Sequence, residues 1–215
     1  MLELAPTFAA FFLGGFVSLV SIINPPAALP FFTALTGHLS ERDGQRLAGR
    51  ASLYAFGILT ASLLAGGFVM NVFGISYPAL RIAGGIVVAL LGHGMLFGTP
   101  TVADGNAERH RNPAFFPLAL PGISGPGSIA VVIGISTEIR ELKLASAALV
   151  AYGATILAIV ATCLLTWLVL RSARPITARL GANGIEVMTR LVGFLLICIG
   201  VQFIASGIRT FVTGG

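Results

Sequence analysis

The sequence predicts an all-α polytopic membrane protein of six transmembrane helices, arranged as two inverted three-helix repeats in which helices 1 and 4 are broken. Three observations carry this reading. Six apolar runs are long enough to cross a bilayer, short motifs recur in the same order in both halves, and a proline-bearing interruption falls inside the first run of each half.

Of the 215 residues, 56% are hydrophobic and only 10% are charged, with a mean hydropathy of +0.94. Soluble domains carry about 25% charged residues, and one soluble core of this size could not hide so much apolar surface. The 27 glycines fit the same class, because Gly lets membrane helices approach closely. The net charge of +5 is read as loop arginines that set orientation in the bilayer. Basic clusters with interleaved aromatics are missing, which argues against nucleic acid as a partner. Cys163 and Cys198 both lie in apolar runs without metal-site spacing and read as small packing residues. The Met1–Leu4 stretch lacks the basic start of a cleavable signal peptide.

Spanning the hydrocarbon core takes about 20 apolar residues. The first span is expected from about Ala5 to Leu35, interrupted at Asn24-Pro25-Pro26. The second covers Ala51 to Phe73 and the third Pro78 to Phe97. The fourth runs from about Ala114 to Ser136 and is interrupted between Gly122 and Gly127. The fifth covers Leu144 to Leu170, and the sixth Ile185 to Ile208. The polar loop Thr99–Pro113 divides the chain into a first repeat (1–98), a central loop (99–113) and a second repeat (114–215).

Short loops rich in Lys and Arg stay on the cytoplasmic side. Arg42, Arg46, Arg50, Arg109, Arg111, Arg171, Arg174 and Arg179 follow spans 1, 3 and 5, against Arg81, Arg140, Lys143 and Arg209 on the other side. The first side is therefore expected to be cytoplasmic, with the central loop in it and both termini external.

The repeat shows in three matches. Arg81-Ile82-Ala83-Gly84-Gly85 opens span 3 as Arg190-Leu191-Val192-Gly193-Phe194 opens span 6. Twelve residues past each Arg stands a polar residue, His93 or Gln202. Spans 2 and 5 share Ala55-Phe56-Gly57 and Ala151-Tyr152-Gly153. Spans 1 and 4 share the breaks Asn24-Pro25-Pro26 and Gly125-Pro126-Gly127. Three spans per half is an odd number, so the second half enters the membrane inverted. Inverted repeats with broken helices in matching positions are the best sequence pointer to a secondary-transporter site.

Proline removes a backbone donor and clashes with the preceding turn. In lipid the freed groups need partners in protein, in a cavity or in a ligand. After each break an apolar stretch resumes, at Ala27 and at Ser128. Each such start carries free N–H groups and partial positive charge, and inversion aims the two starts at each other. An anionic group fits between them. Asn24, Pro25, Pro26, Ala27, Ser124, Gly125, Pro126, Gly127 and Ser128 are therefore the candidate substrate-binding residues. Simple structural kinks are the competing account. About 19 residues precede Asn24 in its span, so its break is off-centre unless the helix tilts or is re-entrant.

Other polar residues have two readings each. His93 fits a proton relay or a neutral histidine within the bundle. Gln202 holds the equivalent place and cannot titrate. Arg81 and Arg190 fit snorkelling to headgroups. Tyr152, Thr155, Thr162 and Thr166 share one face of span 5, either lining a path or bonding within the bundle. Paired carboxylates, metal-ligand spacing and a nucleophile turn with a base are all missing, so no enzyme, metal or cofactor is expected. Ser124 resembles a nucleophile turn only superficially.

Two segments carry a family resemblance: Ser21-Ile22-Ile23-Asn24-Pro25-Pro26-Ala27-Ala28-Leu29-Pro30-Phe31-Phe32, and Pro117-Leu118-Ala119-Leu120-Pro121-Gly122-Ile123-Ser124-Gly125-Pro126-Gly127-Ser128-Ile129-Ala130. At these residues, and in length, span number and central loop, the chain resembles the MarC family, which includes neutral amino acid transporters of the SnatA type. The first segment departs from the family pattern at Pro26-Ala27, where an aliphatic residue and a Gly are expected. The resemblance implies a bacterial inner-membrane protein with external termini and a small neutral amino acid, such as glycine or alanine, as substrate. Coupling to H+ or Na+ is the accompanying expectation for a secondary transporter. The alternative is a channel or facilitator for a small neutral solute, because Asn24-Pro25-Pro26-Ala27 resembles the half-helix motif of water channels. A membrane scaffold with kinked helices is the third reading.

Overall fold

The computed structural model describes residues 4–97, 114, 118, 119 and 123–213. Among these residues there are seven α-helices and no strand: α1 (Leu4–Ile23), α2 (Ala28–Thr36), α3 (Glu41–Phe73), α4 (Tyr77–Phe97), α5 (Pro126–Arg140), α6 (Ala145–Arg171) and α7 (Ala173–Thr213). Five helices are long and apolar enough to cross a membrane: α1, α3, α4, α6 and the Asn183–Thr213 part of α7. The predicted central loop, 99–113, lies outside the described residues, as does most of the first half of the predicted fourth span.

Local chemistry explains where these helices depart from the apolar runs. Helix α3, the predicted second span, starts at Glu41 rather than Ala51, because Ser40 caps it: the Asp43 N–H donates to Ser40 Oγ at 3.1 Å, and Glu41 and Asp43 lie in the positive first turn. Hydropathy registers only the part of a helix that meets lipid. The same helix stops at Gly74, which adopts φ 64 and donates to the Asn71 and Met70 carbonyls. The fourth run is divided, and α5 has only 15 residues, too few to span alone. The expected loop before the sixth span is also helical. Helix α7 begins at Ala173, with Pro175 in its tolerant first turn, and breaks at Gly181 (φ 66, ψ 177). Arg174 donates to the Leu39 carbonyl and ties this start to the turn after α2.

Small residues are prominent in the interior, beside fully buried Leu19, Leu59, Leu63 and Ile159, and large apolar side chains cover the outer surface. Ala48, Ala51, Ala55, Ala151, Ala154 and Ala158 are fully buried, whereas Phe68, Phe73, Leu90, Leu149 and Val212 are exposed. Lipid tails are as apolar as Leu, so helices in a bilayer associate through close backbone approach rather than by hiding large side chains. The α4/α7 pair shows this most clearly. A Cβ placed on Gly85 would stand 2.6 Å from the Gly200 carbonyl oxygen, and one on Gly92 would stand 2.5 Å from that of Gly193. Elsewhere α1 packs on α6, where Gly15 meets Ala158, and α3 packs on α5, where Gly66 meets Ile133.

Candidate functional site

The first break begins where the helix runs out of donors. Asn24 makes the last regular bond of α1, its N–H donating to the Val20 carbonyl at 2.9 Å. Pro25 and Pro26 lack the N–H groups that would have bonded the Ser21 and Ile22 carbonyls. Residues before proline avoid the right-handed helical region, and Asn24 turns instead into the left-handed one, at φ 44 and ψ 71. It is the one non-glycine with positive φ among the described residues. Asn tolerates this region better than most side chains because its short amide can bond locally. Here that amide makes no cap hydrogen bond. Asn24 is half-buried, Pro25 buried and Pro26 exposed. Pro25–Ala27 forms a 3-10 turn, and the Ala28 N–H donates to the Pro25 and Pro26 carbonyls. The first donor of α2 is thus already used, and the open polar group of this break is the Asn24 amide. The Ala27 side chain lies outside the described residues.

The second break is held by its serines. The Ser124 N–H reaches five residues back to the Ala119 carbonyl at 2.8 Å, and the Ser124 hydroxyl donates to the same oxygen at 2.7 Å. Gly125 is extended, at φ −73 and ψ 173, and Pro126 opens α5. The Ser128 hydroxyl reaches back across the break to the carbonyls of Ile123 at 3.2 Å and Gly125 at 3.0 Å. Both serines are buried. Their protons satisfy backbone oxygens released by the break, which leaves the hydroxyl oxygens as acceptors. The first N–H of the new helix to find a backbone partner is that of Ile129, bonding the Gly125 carbonyl at 3.0 Å. No side chain caps α5, so the Gly127 and Ser128 amides sit, without a side-chain cap, at a positive helix end.

The fold brings the two breaks together. A Cβ on Gly127 would meet Ile22 Cγ2 at 3.3 Å, Val88 Cγ2 at 3.1 Å and Phe203 Cε2 at 3.5 Å. Ile22 lies in the last turn of α1, two residues before Asn24. The last turn of α1, the middle of α4 and α7 therefore converge on the first turn of α5. Gly84 of α4 also lies against the Pro126 carbonyl, at 3.4 Å from the position of its absent Cβ. Val88 and Phe203 escaped the sequence reading, because an apolar residue in an apolar span carries no local sign of what it faces.

The other candidates lie elsewhere. His93 is on the exposed side of α4, its ring 5.0 Å from that of Phe97, and Gln202 is exposed on α7. Thr155 is buried in α6 and donates to the Ala151 carbonyl at 2.8 Å. Thr162 and Thr166 bond their own helix in the same way. Tyr152 reaches Ser136 of α5, hydroxyl to hydroxyl, at 3.3 Å. Arg81 is half-buried, with its guanidinium 5.6 Å from the Tyr77 ring and 5.7 Å from the Phe203 ring. Arg190 pairs with Glu186 at 2.8 Å on the surface. No group of three or more His, Cys, Asp or Glu among the described residues could hold a metal ion.

Long apolar helices with large apolar side chains exposed along their outer faces define a multi-pass helical membrane protein. Its sequence matches the profile described as MarC family integral membrane protein over residues 9–212. Relatives named UPF0056 inner membrane protein MarC are 39% identical over 205 residues in Escherichia coli O1:K1 / APEC and in strain UTI89 / UPEC, covering 90% of this chain and 92% of theirs. The Shigella flexneri relative of the same name is 38% identical over the same length. The chain belongs to the MarC family and is an inner-membrane protein. No solved structure matches it.

Proposed function

We propose that this protein is a secondary transporter of small neutral amino acids, glycine- or alanine-like, across the bacterial inner membrane. The observation that carries the reading is the adjacency of the two helix breaks at Ile22 and Gly127. A zwitterion needs donors for its carboxylate and acceptors for its ammonium group within a few ångströms. The uncapped Gly127 and Ser128 amides are suited to the carboxylate. The Asn24 side-chain oxygen and the Ser21 and Ile22 carbonyls freed by the prolines are suited to the ammonium. Val88 and Phe203, already close to Gly127, restrict the substrate side chain to a hydrogen or a methyl.

In this reading the chain crosses the membrane six times as two inverted three-helix repeats, with the arginine-rich side cytoplasmic and both termini external. The packing pattern supports it: α2 packs on α7 as α5 packs on α4, while α4 and α7 pack on each other. Exchanging the two halves reproduces that pattern. Rocking of one repeat against the other would open the break region to each side in turn, coupled to H+ or Na+. The protein acts as a carrier, without enzymatic chemistry.

Reconstituted proteoliposomes test this proposal. Labelled glycine and alanine should enter in a saturable manner and show counterflow against unlabelled substrate. Osmotic swelling without saturation would instead identify a channel. Absence of both would remove the transport reading.

A further inference from the structure

Away from the breaks, helices α3 and α6 leave a groove of about 330 Å³ open on the outer surface. Its wall is apolar, with Phe56 and Leu53 from α3 and Val160, Cys163, Leu164 and Trp167 from α6. From Trp167 to Val160 it runs about 10 Å along α6. In a bilayer such a groove is filled by a hydrocarbon chain. The polar groups at one end determine which lipid the chain belongs to.

All of those groups can donate a hydrogen bond. Ser52, only 6% exposed, lines the groove, and its buried hydroxyl has no hydrogen-bond partner among the described residues. Thr155, Thr162 and Thr166 turn equivalent hydroxyls onto their own helix carbonyls. The Trp167 indole nitrogen lies 3.4 Å from the position a Cβ on Gly49 would take, which places its N–H at the α3 wall. The Arg171 guanidinium sits 5.2 Å from the Trp167 ring. Arg50 stands one turn before Leu53 on the same face of α3. Both arginines are exposed, and neither pairs with a carboxylate among the described residues. One end of the groove is therefore flanked by Arg171, through Trp167, and by Arg50, one turn from Leu53 on α3, at the arginine-rich end of the helices, where lipid headgroups lie.

We propose that this groove is a binding site for an anionic diacyl phospholipid, with one acyl chain along Phe56, Cys163 and Leu164 and the headgroup phosphate between Arg50 and Arg171. Basic pockets between membrane helices on the cytoplasmic side bind anionic headgroups. A zwitterionic lipid would bring its own cation against the two arginines.

Trp167 is the sole tryptophan of the chain and reports on the groove directly. Proteoliposomes of phosphatidylcholine containing a minor fraction of acyl-brominated phosphatidylglycerol are compared with the same fraction of acyl-brominated phosphatidylcholine. Each arginine near an anionic lipid is worth roughly fivefold in affinity, so phosphatidylglycerol should quench Trp167 with on the order of tenfold preference or more. Arg50→Gln with Arg171→Gln should bring the two lipids to parity, whereas Arg50→Lys with Arg171→Lys should keep most of the preference. Arg179→Gln with Arg190→Gln removes two arginines from the same side but on α7, which contributes nothing to the groove lining, and should leave the preference intact. An aqueous quencher checks that Trp167 stays embedded in each variant. Equal quenching by the two lipids, or equal loss in both glutamine pairs, overturns the site.

Discussion

Gly92 of α4 and Gly193 of α7 meet backbone to backbone. A Cβ on Gly92 would stand 2.5 Å from the Gly193 carbonyl oxygen, and one on Gly193 would stand 2.7 Å from that of Gly92. Seven residues along each helix, Gly85 and Gly200 repeat the relationship at 2.6 Å in both directions. The obstructing atoms are main chain, so a side chain here cannot be accommodated by a rotamer change. The helices themselves must separate. Gly92→Leu or Gly193→Leu should destabilise the protein by about 3 kcal/mol, the upper end for overpacking. Gly94 has open space around its absent Cβ, so Gly94→Ala should be neutral or up to about 1 kcal/mol stabilising. Thermal unfolding in detergent distinguishes these outcomes. Equal effects at Gly92 and Gly94 would contradict the close crossing.

The same residues show what the sequence made legible. The Arg-x-x-Gly matches at Arg81 and Arg190 picked out two helices, α4 and α7, that pack on each other. That Gly92 opposes Gly193 could not be read, because pairing across a helix interface leaves no mark in local sequence. Hydropathy located the lipid-facing parts of α1, α3, α4, α6 and α7 but missed the polar start of α3 at Ser40 and the helix between Ala173 and Gly181. At the breaks, Pro25 and Pro126 announced themselves because they lack an N–H. That the two breaks face each other is an expectation of the inverted arrangement, whereas the approach of Val88 and Phe203 to Gly127 depends on tertiary packing and had no sequence signal. Ser124 and Ser128 are candidate substrate-binding residues by sequence, and in the structure their protons bond the backbone, which leaves their oxygens as acceptors.

Asn24 combines a backbone demand with an unused amide, and substitutions can separate the two. Glycine adopts its left-handed conformation freely, whereas alanine is strained there by roughly 1 kcal/mol. Asn24→Ala should therefore lose about 1 kcal/mol in thermal stability, and Asn24→Gly should lose little. Both remove the amide, so both should lower amino acid flux by tenfold or so, the loss expected for one hydrogen bond to a charged group. Full flux in Asn24→Gly would assign the residue a conformational role alone.

The proposed orientation can be read from single cysteines at exposed helix ends. Glu41 and Glu141 are both exposed, at the start of α3 and just after α5. Glu41→Cys and Glu141→Cys, in a chain whose Cys163 and Cys198 are replaced by serine or alanine, present one thiol on each expected side. A membrane-impermeant maleimide added to intact cells whose outer membrane is opened should label position 141. Position 41 should react only after the inner membrane is permeabilised. The reverse pattern would place the termini inside, and labelling of both from outside would exclude the span count.

Gly127 is the point at which size selection should act. Its absent Cβ position lies 3.1 Å from Val88 Cγ2, 3.3 Å from Ile22 Cγ2 and 3.5 Å from Phe203 Cε2. All three obstructing atoms are side-chain rather than main-chain atoms, although the Val88 and Ile22 methyls sit on χ1-stiff β-carbons, so Gly127→Ala should fold at a cost of about 1 kcal/mol. The added methyl competes for space with a substrate side chain next to the α5 amides. A missing or added methylene in a tight apolar site is worth about 1–3 kcal/mol. Gly127→Ala should therefore raise the KM for alanine by roughly tenfold and that for glycine much less. Val88→Ala removes the nearest neighbour, and combined with Gly127→Ala it should restore alanine uptake. Competition between the two labelled substrates in one set of proteoliposomes measures the ratio independently of protein yield. If glycine and alanine fall together, or if Val88→Ala fails to rescue, the substrate side chain is not held at this position.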